Sequence, residues 1–216
     1  MCAKGHAYEL MTPELIQQCS GIQLGDTLVK SLVFSTDMAV IRNCDADAVL
    51  CVYPFACDEE INRSVIQGAG KPVLNGVAGA ITAGERCVCL AQAAQKDGAA
   101  AVVANMMTDP ADIRALTEAV SIPVVLTVAT LDDDTRLRIE AGASIINVAA
   151  GHKTARVVTA VRAAFPHVSL IATSGKSYEA LKRTIEAGAD AITWTPPSIQ
   201  EIERQVMLGH RIRANA

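Results

Sequence analysis

The segment Ala172–Ser177 carries the densest group of potential ligand-binding residues in this chain of 216 residues. It reads Ala-Thr-Ser-Gly-Lys-Ser and comes directly before a segment with helical spacing. A glycine lets backbone N–H groups approach a ligand, and the partial positive charge of a helix N-terminus stabilises an anion. The alternative is an ordinary polar loop with a capping serine. We expect an anion site, with these candidate residues: Ser174, Gly175, Lys176 and Ser177.

A second segment, Gly151-His152-Lys153, has a similar composition, with a small residue, a titratable ring and a lysine. Taken alone, it is typical of a solvated helix start. If it lies beside the first segment, the two could form opposite walls of one pocket. Gly151 and His152 are therefore candidate binding residues, and Lys153 is a candidate catalytic residue.

Both segments follow short aliphatic runs, and eight such runs alternate with longer segments that have helical spacing. Several runs are apolar at nearly every position, as expected for strands of a parallel sheet with both faces buried. The predicted strands are Ser31–Ser35, Ala48–Tyr53, Pro72–Gly76, Ala100–Asn105, Pro123–Val128, Ser144–Ala149, Val168–Thr173 and Asp190–Trp194.

An internal repeat supports this alternation, because residues 139–146 (IEAGASII) reappear 46 residues later as 185–192 (IEAGADAI). Residues 30–216 divide into eight units of about 23 residues each, which is enough for a small (β/α)8 TIM barrel. We predict one α/β domain over residues 1–216, with a helical extension over 1–29 and eight βα units over 30–216. A short helix at Glu14–Cys19 either closes the bottom of the barrel or is a terminal arm.

Ligands of such barrels bind at the carboxyl ends of the strands, where all eight loops share one face. Asn, Thr and Ser dominate these loops, and facing pairs of carboxylates are missing. Asp37, after the first strand, is the candidate general acid or base, and Lys153 or Lys176 is the candidate electrophile or anion clamp. The predicted substrate-binding residues at this face also include Asn75, Asn105, Asn147 and Thr195.

Composition limits the remaining classes. The chain is 50% apolar, 3% aromatic and 19% charged, with a formal net charge of −4, which disfavours a nucleic-acid partner. Cys87 and Cys89 lack partners at metal spacing, so we expect neither a metal nor a cofactor. The uncharged stretches are too short to cross a membrane, and residues 1–11 lack the apolar core of a secretory signal. We expect a cytoplasmic homo-oligomer that binds a small anionic metabolite.

The sequences IATSGKSYEAL (171–181) and IEAGADAIT (185–193) resemble the ribulose-phosphate-binding TIM-barrel superfamily. This group includes phosphosugar epimerases, small aldolases and a glycerol-operon antiterminator. The resemblance implies a phosphate held by a turn at residues 174–176 and a second turn at residues 195–198. Two departures stand out: Pro196 and Pro197 offer no N–H donors, and Ile145-Ile-Asn-Val stands where the keto-acid aldolases have a Schiff-base lysine.

Three functions remain open at this point. The first is a lyase or an isomerase or epimerase that uses acid–base chemistry on an anionic, phosphorylated, sugar-type substrate. The second is a metabolite-sensing regulator of the antiterminator type, which binds a ligand without catalysis. The third is a hydrolase of unnamed substrate, with water delivered by Asp37.

Overall fold

Eight parallel strands close into a barrel in a computed structural model that describes residues 10–79, 81–175 and 177–214, with the side chains of 209–214 excepted. Every strand pairs with its chain neighbours, and the last barrel strand pairs with the first. The barrel strands are β3 (Ser31–Phe34), β4 (Ala48–Cys51), β5 (Val73–Ala78), β6 (Ala101–Ala104), β7 (Val124–Val128), β8 (Ile145–Val148), β9 (Ser169–Thr173) and β10 (Ala191–Trp194). The predicted TIM barrel and its eight strands are confirmed.

A helix follows each barrel strand. The helices are α1 (Met38–Arg42), α2 (Glu59–Gly68), α3 (Glu85–Asp97), α4 (Pro110–Ala119), α5 (Asp133–Glu140), α6 (Thr154–Ala164), α7 (Tyr178–Glu186) and α8 (Ile199–Ala214). Most begin at a residue whose side-chain oxygen accepts a hydrogen bond from a backbone N–H of the first turn, as N-caps do. The capping residues of this kind include Asp37, Asp58, Asp109, Asp132 and Ser177.

Side chains alternate between two apolar layers along each strand, as strand geometry requires. Paired residues of neighbouring strands point to the same side, so the strand register assigns each position to a layer. Leu50 and Leu74 are paired and belong to the cluster that fills the barrel interior. Val49 and Val73 are paired and belong to the cluster between the barrel and the helices.

The amino-terminal ends of the strands are covered by a hairpin formed by β1 (Ile22–Leu24) and β2 (Thr27–Val29). Ile22, Leu24 and Val29 are buried in the same cluster as the barrel-interior side chains. The N-terminal extension therefore closes the bottom of the barrel, and the closing element is this hairpin.

The predicted short helix is present as a 3₁₀ helix, Glu14–Gln18, and it lies on the outside of the barrel. Its buried Ile16 belongs to the outer apolar layer, and the helix packs against α7. The helix thus packs on the outside of the barrel wall, whereas the hairpin presents three buried side chains to the barrel interior.

Asp190, just before β10, joins several elements at the bottom of the barrel. Its carboxylate accepts hydrogen bonds from the Ser20 hydroxyl (2.7 Å), from the Leu170 N–H (2.7 Å) and from Arg162 Nη2 (2.6 Å). The Arg162 guanidinium also donates to three carbonyl groups, at Pro166, Val168 and Gly188. These charge-assisted bonds fix α6, β9 and β10 relative to one another.

No helix in the described part of the chain is both long enough and apolar enough to span a membrane.

Candidate functional site

The carboxyl-terminal half of the barrel interior is polar on one side. Four successive strands, β7 to β10, place a polar side chain toward the interior near their carboxyl ends. Thr127 pairs with Asn147, and Thr173 pairs with Thr193. The layer assignment follows from the register, because Ile171 and Ala191 are interior residues two positions before Thr173 and Thr193. We call Thr127, Asn147, Thr173 and Thr193 the polar arc.

Two members of the polar arc have buried atoms without a hydrogen-bond partner. Asn147 is 3% exposed and Thr193 is 2% exposed. Asn147 Oδ1 and Thr193 Oγ1 have no partner among the described residues. A buried polar atom without a hydrogen bond costs about 1–3 kcal/mol, so such atoms are rare unless a ligand satisfies them.

The remaining contact of Asn147 determines what it can offer a ligand. Its Nδ2 donates to Thr127 Oγ1 over 3.2 Å. A hydroxyl can also donate, so the carboxamide can turn over, accept from Thr127 and present its N–H group to the interior instead. With the hydroxyl of Thr193, the polar arc can thus supply hydrogen-bond donors to an oxyanion.

The loop after β9 lies next to the polar arc in sequence. Ser174 Oγ donates to the Gly175 carbonyl (3.2 Å), and Ser177 Oγ accepts from the Ala180 N–H (3.2 Å), which makes Ser177 the N-cap of α7. Lys176, the expected cation of this loop, lies outside the described residues.

Beside this loop is a pocket of about 340 Å³ whose lining includes Ser174, Gly175 and Thr195. Ile192 and Trp194 also line it, and both point outward from the barrel. The pocket therefore extends between the barrel wall and the outer helices. It reaches the carboxyl-terminal face at the two turns that the family resemblance assigns to a phosphate.

The loop after β8 holds three predicted residues in one 3₁₀ helix, Gly151–Lys153. All three are exposed, and Gly151 has a φ of 58°, which only glycine adopts without strain. Lys153 lies directly before α6, so it stands on the same face of the barrel as the loop after β9.

Asp37 is the N-cap of α1. Its Oδ1 accepts from the N–H groups of Ala39 (2.8 Å) and Val40 (3.2 Å). Both bonds end on one oxygen, which leaves Oδ2 as the oxygen available for proton transfer. The carboxylate is exposed, at the same face of the barrel as the polar arc.

The three predicted asparagines fall in three different environments. Asn147 belongs to the polar arc. Asn105 lies at the carboxyl end of β6 and lines a second pocket, while its Oδ1 accepts from the Met107 N–H (2.9 Å). Asn75 pairs with Cys51, a residue of the outer layer, so its fully buried side chain points away from the barrel interior.

Thr193 was not among the predicted substrate-binding residues, although it is central to the polar arc. The sequence does contain a signal for Thr193. Residues two apart on a strand face the same side, so Thr193 shares the interior face of Ala191 in the same way that Asn147 shares that of Ile145. Thr127 and Thr173 follow the same rule.

No protein-family model matches the chain, and no curated protein sequence matches it. Solved structures do resemble it. 2,3-Dimethylmalate lyase, a PEP mutase/isocitrate lyase superfamily member, aligns at 13% identity with a TM-score of 0.64, covering 93% of this chain and 85% of the other. Oxaloacetate acetylhydrolase with the inhibitor 3,3-difluorooxalacetate aligns at 10% identity with a TM-score of 0.65, covering 89% and 83%.

Phosphonopyruvate hydrolase in complex with oxalate and Mg²⁺ aligns at 14% identity with a TM-score of 0.63, covering 86% of this chain and 82% of the other. At these identities the likeness establishes the TIM-barrel fold. It places the chain among barrels of this architecture without singling out the ribulose-phosphate-binding superfamily.

Within residues 10–79, 81–175 and 177–214, no three His, Cys, Asp or Glu side chains come together as a metal site. The aspartates after β3, β4, β6 and β7 cap the helices that follow them.

Proposed function

We propose that the protein is an enzyme that acts on a small anionic metabolite at the carboxyl-terminal face of the barrel, as a lyase or an isomerase. The observation that carries this proposal is the pair of buried, unpartnered atoms, Asn147 Oδ1 and Thr193 Oγ1. Their position on the face where TIM-barrel enzymes bind substrates favours a ligand as the missing partner.

The polar arc would hold an oxyanion of the substrate through the Asn147 carboxamide and the Thr193 hydroxyl. Proton abstraction next to a carbonyl and carbon–carbon cleavage both develop negative charge on an oxygen beside the reacting carbon. Fixed donors in a site with little water stabilise that charge more than they stabilise the ground state. Lys153 or Lys176 would add a positive charge, and Asp37 Oδ2 would accept or return the proton.

Two substrate classes fit such an anion site. A phosphorylated sugar would place its phosphate at the turns that contain Ser174 and Thr195, as the family resemblance implies. A small carboxylate would bind at the polar arc itself, and two of the structural neighbours were solved with oxalate or 3,3-difluorooxalacetate. Both classes need the same donors.

The test compares thermal shifts of wild type and an Asn147→Leu variant with oxalate, pyruvate, inorganic phosphate and ribulose 5-phosphate as probes. Leucine has nearly the same shape as asparagine and removes the donor, so at least one probe should stabilise wild type and fail to stabilise the variant. An Asn43→Leu variant serves as the control, because Asn43 ends α1 and its Nδ2 bonds the Ala39 carbonyl. Equal shifts in wild type and Asn147→Leu would contradict the proposal.

Lysine variants separate the two candidate cations. Lys176→Ala and Lys153→Ala should each be compared with Lys182→Ala, an exposed lysine on α7 paired with Glu186 over 3.8 Å. The lysine that clamps the anion should lose most of the probe-induced shift when it is replaced. Unchanged shifts in both variants would remove lysine from the site.

A second function is metabolite sensing without catalysis. It is favoured because the aspartates after β3, β4, β6 and β7 serve as helix N-caps. A sensor needs the anion site and no acid–base residue. The sensor would be favoured if the protein binds a probe without converting it and if Asp37→Asn binds that probe as tightly as wild type does. Salt-sensitive binding of RNA in a filter assay would extend it to an antiterminator-type regulator.

We also propose a homo-oligomer in the cytoplasm. Val206, Met207 and Leu208 are three consecutive apolar residues on α8, each more than half exposed. Sedimentation velocity of wild type and a Met207→Glu variant tests this assembly, and a monomer in both samples would contradict it.

A further inference from the structure

A second pocket opens at the carboxyl-terminal face, across the barrel from the polar-arc residues of β8, β9 and β10. It has a volume of about 190 Å³. Val52, Gly76 and Val103 line it, and all three are interior positions of β4, β5 and β6 or their ends. Strands β4–β6 lie across the barrel from β8–β10. We call this space, at the open end of the barrel, the mouth pocket.

The walls of the mouth pocket are mostly apolar and uncharged. No charged residue lines it among the residues that the structure describes. Pro54 and Phe55 come from the loop after β4, and Ala78 and Ile81 come from the end of β5 and the loop after it. A pocket of this composition gains free energy by taking apolar surface out of water.

Most polar groups along these walls are already hydrogen-bonded, although the Nδ2 group of Asn105, whose Oδ1 accepts from the Met107 N–H, has no partner among the described residues. Tyr53 OH accepts from the Asp58 N–H (2.8 Å) and contacts Asn62 Oδ1 at 2.9 Å. The Thr82 hydroxyl accepts from the Cys57 N–H (3.0 Å). Burial raises the pKa of the Cys57 thiol, which keeps it neutral. The pocket therefore has little to offer a second charged group.

Large apolar side chains stand exposed at its rim. Phe55 is 74% exposed and Ile81 is 70% exposed. Both line the mouth pocket, so an apolar occupant would cover part of each. Exposed apolar clusters beside a concave site are typical of binding surfaces.

We propose that the mouth pocket binds a hydrocarbon chain of the substrate whose anionic group is held by the polar arc. This inference rests on the proposed function and narrows its substrate class to an amphipathic anion. A dry cavity of about 150 Å³ holds one benzene, so the mouth pocket accommodates about six carbon atoms. A polyhydroxylated chain would leave most of its hydroxyl groups without partners there.

The first test measures the affinities of a series of 2-oxo acids by titration calorimetry: pyruvate, 2-oxobutanoate, 2-oxopentanoate and 2-oxohexanoate. Each added methylene buried in the pocket should tighten binding about threefold to fourfold. Equal or weaker binding along the series would overturn the proposal.

Two variants locate the effect. Ile81→Glu places a charge at the rim and should bring the affinity ratio of 2-oxohexanoate to pyruvate close to one. Leu137→Glu is the matched control, since Leu137 is a 56% exposed residue of α5 that lines none of the described pockets. The control should keep the ratio of wild type. A role for the mouth pocket would be contradicted if the affinity ratio of 2-oxohexanoate to pyruvate falls to about one in both variants, or if it stays at the wild-type value in both.

A neutral probe separates this inference from the anion site. In methyl NMR spectra, 1-pentanol should shift the signals of Val52, Val103 and Ile81. If pentanol binds there and no 2-oxo acid binds, the result would contradict the proposed anion site and still support the hydrocarbon pocket. Pyruvate binding without pentanol shifts or a chain-length effect would leave the anion site and remove the hydrocarbon pocket.

Discussion

Replacing Thr193 with valine should stabilise the protein and weaken ligand binding at the same time. Valine has the shape of threonine and lacks the hydroxyl, and Thr193 Oγ1 is a buried atom without a partner among the described residues. Burying such a group costs about 1–3 kcal/mol. We expect the free energy of unfolding to rise by about 1–2 kcal/mol in Thr193→Val. For a chain of this length, each kcal/mol raises Tm by about 2–4 °C.

Urea unfolding followed by tryptophan fluorescence measures this change. Trp194 is the only tryptophan of the chain and follows Thr193 directly, so calorimetry should check that its signal reports global unfolding. Thr154→Val is the matched control, because Thr154 is also 2% exposed but its hydroxyl is satisfied. It accepts from the Ala150 N–H (3.1 Å) and donates to the Thr173 carbonyl (3.1 Å), so its loss should destabilise the protein by about 1–3 kcal/mol.

A third variant separates stability from binding. Thr108 is 2% exposed, its Oγ1 also lacks a partner among the described residues, and it lines none of the described pockets. Thr108→Val should stabilise the protein and leave probe binding unchanged, whereas Thr193→Val should weaken it. Destabilisation of Thr193→Val by as much as Thr154→Val would refute the reasoning, because the Thr193 hydroxyl would then have a partner.

Three further predictions concern the scaffold. Asp190→Asn should lower the free energy of unfolding by about 2 kcal/mol in urea titrations, because it weakens charge-assisted bonds to three groups; an unchanged midpoint would contradict this. Leu24→Ala should cost about 2–5 kcal/mol, since the hairpin side chain fills the barrel bottom; a loss under about 1 kcal/mol would mean that the hairpin does not close it. Burial raises the pKa of Cys51 to about 12, so iodoacetamide at pH 8 should alkylate the exposed Cys89 well before Cys51. Mass spectrometry of peptides measures the two rates. Equal rates would refute the burial of Cys51.

The strands were predictable because each is an aliphatic run bounded by a helical segment, and a closed barrel needs only that alternation. The side of the barrel that a residue faces was harder to predict. All six residues of β5 are buried, so the alternation of apolar and polar residues that normally reveals the interior face is missing around Asn75. Only the register, with Cys51 opposite Asn75, shows that this asparagine points outward.

The hairpin has a signal of its own in the sequence. Gly25 and Asp26 stand between two short segments of strand residues, as in two-residue hairpin turns, and Gly25 has a φ of 56°. The orphaned atoms of Asn147 and Thr193 could not be predicted at all. A hydrogen-bond deficit depends on the packing of several strands together, and only the folded structure reveals it.

The most direct test of the anion site is an NMR titration of the protein with oxalate and with inorganic phosphate, observing the side-chain amide of Asn147 and the methyl group of Thr193. We expect at least one probe to shift both signals with a common, saturating Kd. We expect no change at Leu24, which lies in the hairpin at the other end of the barrel. Saturating shifts elsewhere with none at Asn147 and Thr193, or no shifts with either probe, would contradict an anion site at the polar arc.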